Sequence, residues 1–227
     1  MNGWLLLLAA LAGYLLGALS FARIVTRVFS PAVDITKTDA PVEGYERPLR
    51  MHGVSGTSVR IQLGARYGCL SSALDMVKVT IPTLVFYLFW PDSPYYLVAA
   101  AAGVLGHNWP IYYGFKGGYG SSPMYGGMFA IDWVGVPVSF VATALVYAVV
   151  RDMYIALIGG FVVLIPWLWF RLHDMWHVGY AIVVTVAYVV ALLPDARQYG
   201  AIVREQRAGE VASQQATAES ASGDEAQ

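Results

Sequence analysis

Seven apolar runs, with nearly all basic residues confined to alternate connecting segments, constrain this chain more than any other feature. The runs lie at about 3–21, 68–90, 95–114, 124–134, 136–150, 153–170 and 175–193. A helix needs roughly 20 mostly apolar residues to cross the hydrocarbon core of a bilayer. Inside lipid every backbone N–H and C=O must be satisfied within the chain, which favours helices. The pattern therefore predicts an all-α polytopic membrane protein with seven transmembrane helices. The membrane domain occupies residues 1–194, a cytoplasmic segment 195–210, and a polar tail 211–227 that reads as disordered.

Charged residues make up 13% of the chain, roughly half the ~25% of soluble domains, and 57% is hydrophobic. This excludes a soluble globular domain. No basic stripe exists to neutralise phosphates along a duplex, so no nucleic-acid partner is expected. A single cysteine, Cys69, excludes an intramolecular disulfide framework and a Cys-rich metal cluster. Only Met1 and Asn2 precede the first run, with no basic region, so that run reads as a span rather than a signal peptide. Gly13 and Gly17 fall on one face of it and would admit close helix contact.

Basic residues set the orientation. With the N-terminus outside, the inner side holds twelve: Arg23, Arg27, Lys37, Arg47, Arg50, Arg60, Arg66, Lys116, Arg151, Arg197, Arg204 and Arg207. The outer loops hold only Arg171, and Lys78 lies within a span. Fusing residues 124–150 into one helix would lower this twelve-to-one bias to nine against four, so the positive-inside rule favours seven spans and a cytoplasmic C-terminus.

Three inner segments then converge at one membrane surface: 22–67, 114–123 and 195–210. The most informative run is Gly106-His107-Asn108-Trp109-Pro110, followed by Gly114-Phe115-Lys116-Gly117-Gly118-Tyr119-Gly120. Glycines let backbone N–H groups converge on an anion, and a lysine in such a loop adds a point charge for phosphate. The plain alternative is a flexible inter-helix loop. The spacing is not that of a P-loop. His107 is a candidate base, or a histidine bonded within the bundle. Asp75 and Lys78, at i, i+3 in a span, read as a structural ion pair. His173 and His177 are four apart but lack a third strong ligand nearby, so no metal is expected.

On these residues the chain resembles the bacterial membrane glycerol-3-phosphate acyltransferases that use acyl phosphate, the PlsY family. The family pattern G-H-x-x-P, four residues, F-K-G-G-K-G is met from Gly106 to Gly120, with Tyr119 in place of the second lysine. Tyr14-Leu15-Leu16-Gly17, Asp34-Ile35, Leu63-Gly64-Ala65-Arg66-Tyr67-Gly68 and Asp75-Met76-Val77-Lys78 fit further family segments. The first family motif, G-S-G-N-P-G-A-T-N, falls on Arg50-Met51-His52-Gly53-Val54-Ser55-Gly56-Thr57-Ser58, where Thr57 keeps its place. The third is met in part by Arg197, Ile202, Arg204 and Gly209, with Gln198 for its histidine.

The resemblance implies an acyltransferase of the cell membrane, moving a fatty acyl group from acyl phosphate to the 1-hydroxyl of glycerol 3-phosphate without a cofactor. Lys116, Gly117, Gly118, Gly120, Ser55, Thr57, Arg60 and Arg204 would bind the phosphates, and His107 would serve as base. The alternative is a catalytically degenerate relative that binds a lipid precursor or a partner enzyme. Neither an H-x-x-x-x-D acyltransferase motif nor a paired-half transporter pattern is present.

Overall fold

A computed structural model describes residues 2–41, 45 and 47–224; the side chains of 153, 154, 207 and 209–224 lie outside that description. Helix α1 (Gly3–Gly17) starts at Asn2, whose side-chain oxygen accepts the Trp4 N–H at 3.0 Å. That bond satisfies one of the donors a helix start leaves open. The expected helix over 3–21 breaks at 18–20, and α2 (Phe21–Phe29) continues the apolar stretch. The break turns the Leu19 carbonyl toward a side-chain partner, Lys78.

Two short strands interrupt the helical pattern. β1 (Thr38–Ala40) pairs antiparallel with β2 (Leu49–Met51), Thr38 opposite Met51 and Ala40 opposite Leu49. Three-residue strands leave no periodic trace in a sequence. Next come α3 (Gly56–Leu63) and α4 (Ala65–Phe89), separated by Gly64 at φ +95°, a left-handed conformation that suits glycine.

Helix α5 (Tyr95–Asn108) ends six residues before the expected 114. Trp109 precedes Pro110, and the residue before a proline is pushed out of the helical region. A 3₁₀ turn at Ile111–Tyr113 leads into the glycine loop, then α6 (Ser121–Ile131) and α7 (Gly135–Val150). The run expected at 153–170 forms α8 (Met153–Val162) and α9 (Leu164–Leu172). Helix α10 (Met175–Asp224) passes through Pro194 and the 195–210 segment. Its backbone is helical through 211–224, where the sequence reading has a disordered tail; Ala, Gln and Glu are strong helix formers. Residues 225–227 of that tail lie outside the described residues.

Among the described residues four stretches are long and apolar enough to cross a membrane: Gly3–Phe29, Ala65–Phe89, Ile155–Leu172 and Met175–Gln206. Helices α5, α6 and α7 are apolar but shorter, at 14, 11 and 16 residues.

The bundle packs by close backbone contact. A Cβ on Gly13 would strike the Ala99 carbonyl, one on Gly17 the Gly103 carbonyl, and one on Gly106 the Tyr14 carbonyl. Small residues therefore let α1 and α5 touch backbone to backbone, as in membrane helix pairs generally. Val79, Val104, Met124, Met128, Phe161 and Val184 fill the buried centre, while Leu88, Phe89, Val149 and Phe170 point outward. A second cluster, Ala22, Val25, Ile35, Val54 and Val59, seats α3 and the post-α2 loop on one end of the bundle. At the other end Asp132 accepts from Trp167 Nε1 at 2.8 Å and Arg171 Nε at 3.0 Å. There too His177 lies 2.6 Å from Asp174 and 2.9 Å from the Tyr96 hydroxyl, bonded within the bundle.

Candidate active site

The glycine loop is folded back onto the end of α5. The Gly118 N–H donates to the His107 carbonyl at 3.0 Å, the Val54 N–H donates to the Gly117 carbonyl at 2.8 Å, and Arg23 Nη2 donates to the Lys116 carbonyl at 2.7 Å. The loop is thus tied to α5, to the turn before α3 and to α2. Its glycines are needed for close approach. A Cβ on Gly117 would strike the His107 carbonyl, and one on Gly118 the His107 ring at Nε2. Gly120 has φ +88° and faces the Asn108 side chain, whose Nδ2 donates to the Ala187 carbonyl of α10 at 3.1 Å. The open anion nest expected from the sequence is therefore partly spent: the Gly118 N–H is committed inward.

His107 lies beneath this loop. Its Nδ1 is 2.9 Å from Lys78 Nζ and 3.5 Å from Asp75 Oδ1, and all three side chains are buried. Lys78 Nζ donates to Asp75 Oδ1 at 2.6 Å and to the Leu19 carbonyl at 2.5 Å. An ammonium has three N–H donors, and here each has a partner, so His107 Nδ1 accepts and the ring is neutral with its proton on Nε2. Asp75 and Lys78 meet as the spacing expected. His107 joins them as a third member, supporting the loop from below rather than facing open space.

Above the loop is a cavity of about 600 Å³. Arg23, Thr36, His52, Lys116, Gly117 and Gly118 line it, with Trp109 and Pro194 closing its sides. A second cavity of about 580 Å³ shares Arg23, Thr36 and Tyr113 and adds Arg27 beside Ile24, Val33 and Ile35. The two cavities thus share Arg23, and the second sets Arg27 beside aliphatic side chains. The Asp34 carboxylate at this edge is held below its ordinary range, first by the Thr36 hydroxyl and then by the Thr36 N–H.

The remaining expected residues lie apart from this cavity lining. Ser55 stands at the start of α3, its N–H donating to Ser58 Oγ at 3.4 Å, and Thr57 and Arg60 are exposed on that helix. Arg204 is exposed on α10, its Nε donating to the Gly200 carbonyl at 3.0 Å. Gln198 reaches β2 instead: in its favoured amide orientation it donates to the Arg50 carbonyl at 2.9 Å and accepts the Arg50 N–H at 3.0 Å.

Sequence reasoning missed Arg23, His52, Thr36 and Asp195 as a group. Asp195 is 1% exposed and gathers three donors. Its Oδ1 accepts the His52 N–H at 3.0 Å and lies 2.8 Å from His52 Nδ1, and its Oδ2 accepts the Tyr119 hydroxyl. The Gly53 N–H in turn donates to the Tyr119 oxygen at 3.2 Å. No local spacing links His52 to Asp195, 143 positions apart, and the burial that makes a carboxylate need partners shows only in the fold.

These features define a helical membrane protein with a cavity lined by basic side chains at one end of its bundle. The family model described as glycerol-3-phosphate acyltransferase matches residues 7–204, and the chain belongs to that family. It is 37% identical over 126 residues to a glycerol-3-phosphate acyltransferase of Halalkalibacterium halodurans, covering 55% of this chain and 54% of that one. It is 29% identical over 161 residues to the Aquifex aeolicus relative, covering 65% and 77%. The matched stretch thus spans about half the length of the first of these. The fold is similar to the crystal structure of PlsY (YgiH), an integral membrane glycerol 3-phosphate acyltransferase, in its glycerol 3-phosphate and lysophosphatidic acid forms. The TM-score is 0.72 at 25% identity, over 86% of this chain and 91% of the other.

Proposed function

We propose that the protein acylates the 1-hydroxyl of glycerol 3-phosphate with a fatty acyl group from acyl phosphate, releasing lysophosphatidic acid and phosphate. The observation that carries this reading is the cavity that sets Lys116 and Arg23 over the glycine loop, in a family and fold whose solved relative has been captured with glycerol 3-phosphate and lysophosphatidic acid. An acyl phosphate is already activated as a mixed anhydride. The protein's task is to position the attacking hydroxyl, neutralise two phosphates and stabilise the oxyanion that develops. Lys116 and Arg23 neutralise charge, and the second cavity, where Arg27 stands beside Ile24, Val33 and Ile35, suits the acyl donor. Gly117 and Gly120 shape the loop, while Gly118 and His107 hold it in place. Ser55, Thr57, Arg60 and Arg204 lie outside the cavity lining and are assigned to phosphate contacts on approach.

The reading includes seven crossings, with the N-terminus outside, the pocket and C-terminus cytoplasmic, and the protein in the cell membrane. The membrane domain is then 1–194, with 195–210 as the extension that brings Asp195 to the pocket. The twelve-to-one basic bias supports this orientation.

Purified protein in lipid, given palmitoyl phosphate and glycerol 3-phosphate, should form lysophosphatidic acid. A charged phosphate contact contributes about 1.5–3 kcal/mol, so Lys116→Ala should lower kcat/KM about 10- to 150-fold. An unaffected Lys116→Ala enzyme removes the phosphate assignment. Glycerol 3-phosphate binding without turnover would favour the degenerate, binding-only reading, which the His52 and Tyr119 departures from the family pattern motivate.

A further inference from the structure

We infer that His52, held by Asp195, is the residue that takes the proton from the acceptor hydroxyl in this chain. The inference rests on the acyl-transfer reading above. His52 occupies a glycine position of the family pattern, and Asp195 stands two residues before the third-motif Arg197, so neither is supplied by the motif itself.

The geometry is that of an oriented base. Asp195 Oδ1 accepts the His52 backbone N–H at 3.0 Å, and Oδ2 accepts the Tyr119 hydroxyl. The carboxylate is acceptor-only, so the 2.8 Å contact from Oδ1 to His52 Nδ1 requires the proton on Nδ1. The lone pair of the neutral ring is then on Nε2, across the imidazole from Asp195. The carboxylate is 1% exposed, while the imidazole side chain is 54% exposed and lines the cavity that holds Lys116 and Arg23. A buried carboxylate that fixes one ring nitrogen and leaves the other facing a pocket is the arrangement general-base histidines use. His107, by contrast, accepts from Lys78 below the loop.

In the step, His52 Nε2 takes the proton of the acceptor hydroxyl as its oxygen bonds to the acyl carbonyl carbon. The carbonyl C–O bond to phosphate then breaks, and inorganic phosphate leaves with that electron pair. The proton on Nε2 passes to the departing phosphate. Nothing is oxidised or reduced. Among the described residues, the charged and titratable groups around the imidazole are Asp195 on α10, Tyr119 on the loop before α6, and Lys116, Arg23 and Tyr113 lining the same cavity.

The test measures lysophosphatidic acid formation in lipid by wild type, His52→Ala and Asp195→Asn, as kcat and KM across pH. Loss of a general base lowers kcat about 100- to 10,000-fold. His52→Ala should show that loss with KM for glycerol 3-phosphate changed less than about threefold. Wild type should lose kcat on the acid side, as an enzyme that needs a free base does, and His52→Ala should lack that limb. Imidazole in solution should restore part of the His52→Ala rate. Asp195→Asn, which reverses the ring tautomer, should be slowed with the limb displaced. A His52→Ala enzyme that keeps its kcat, or keeps the acidic limb, overturns the inference while leaving the acyltransferase reading intact. Should that variant fail to fold, a wild-type profile without an acidic limb overturns it equally. Wild type that forms no lysophosphatidic acid overturns both.

Discussion

Replacing Lys78 tests the polar support beneath the glycine loop. Its ammonium lies 2.5 Å from the Leu19 carbonyl, 2.6 Å from Asp75 Oδ1 and 2.9 Å from His107 Nδ1. Lys78→Ala removes all three bonds at once and strands a carboxylate that is 1% exposed. Two of the three bonds are made to the Asp75 charge and a backbone carbonyl, and bonds to charged groups contribute about 1.5–3 kcal/mol each. Breaking a buried pair by removing one partner costs about 3–5 kcal/mol, which sets the expected loss. The double variant Asp75→Asn with Lys78→Met leaves no charge behind and should lose only about 1–2 kcal/mol, because apolar replacement of a buried pair is often near neutral. Unfolding free energies in mixed micelles for Asp75→Asn, Lys78→Met and the double give the coupling. Contacting residues show coupling of about 0.5–3 kcal/mol, and this pair should reach or exceed the upper end. Losses that add to within about 0.5 kcal/mol would refute the ion-pair account. Lipid-embedded activity should fall in parallel, because the His107 ring that carries Gly118 loses its anchor.

Gly118→Ala should lower both melting temperature and turnover, since its Cβ would overlap the His107 ring. Gly114→Ala, at φ +60° in open space, should cost only about 1–2 kcal/mol of backbone strain and spare turnover; equal effects would remove the close-packing explanation. Cysteines placed at positions 2 and 215, with Cys69 replaced, should label from opposite membrane faces; labelling from one face would sink the seven-span topology. Asp34 should titrate below its ordinary 3.8. Its contribution to local order is then fully present above the ordinary value and lost as pH falls through the lower folded value. A carboxyl NMR titration at or above 3.8 would contradict the Thr36 hydrogen bonds.

The apolar runs and the glycine loop were legible because both write themselves in local spacing. The apolar runs fold as helices, those at 3–21 and 153–170 with a break, and Pro110 forces the turn that throws Lys116 over the end of α5. What the sequence left hidden depends on distance along the chain. His52 and Asp195 are 143 positions apart, and His52 looked like an eroded motif rather than a partner. Asp75 and Lys78 were readable as i, i+3 neighbours, but His107 arrives from another helix and no spacing announces it. Arg23 counted only as one more basic residue beyond an apolar run. Its reach to the Lys116 carbonyl follows from the break at 18–20, which composition does not mark. The expected open nest failed in part because a glycine wanted for an anion and a glycine wanted for a neighbouring ring look the same in a sequence.

The contact between Gly53 and Tyr119 ties two positions of the site to one another. A Cβ at position 53 would meet the Tyr119 ring, whereas the family pattern that the chain resembles carries asparagine and lysine at these two places. A side chain at 53 therefore requires the phenol to leave its present place, and with it the bond to Asp195. Gly53→Asn should in consequence disturb the Asp195 cluster from a distance, through the ring rather than through the carboxylate.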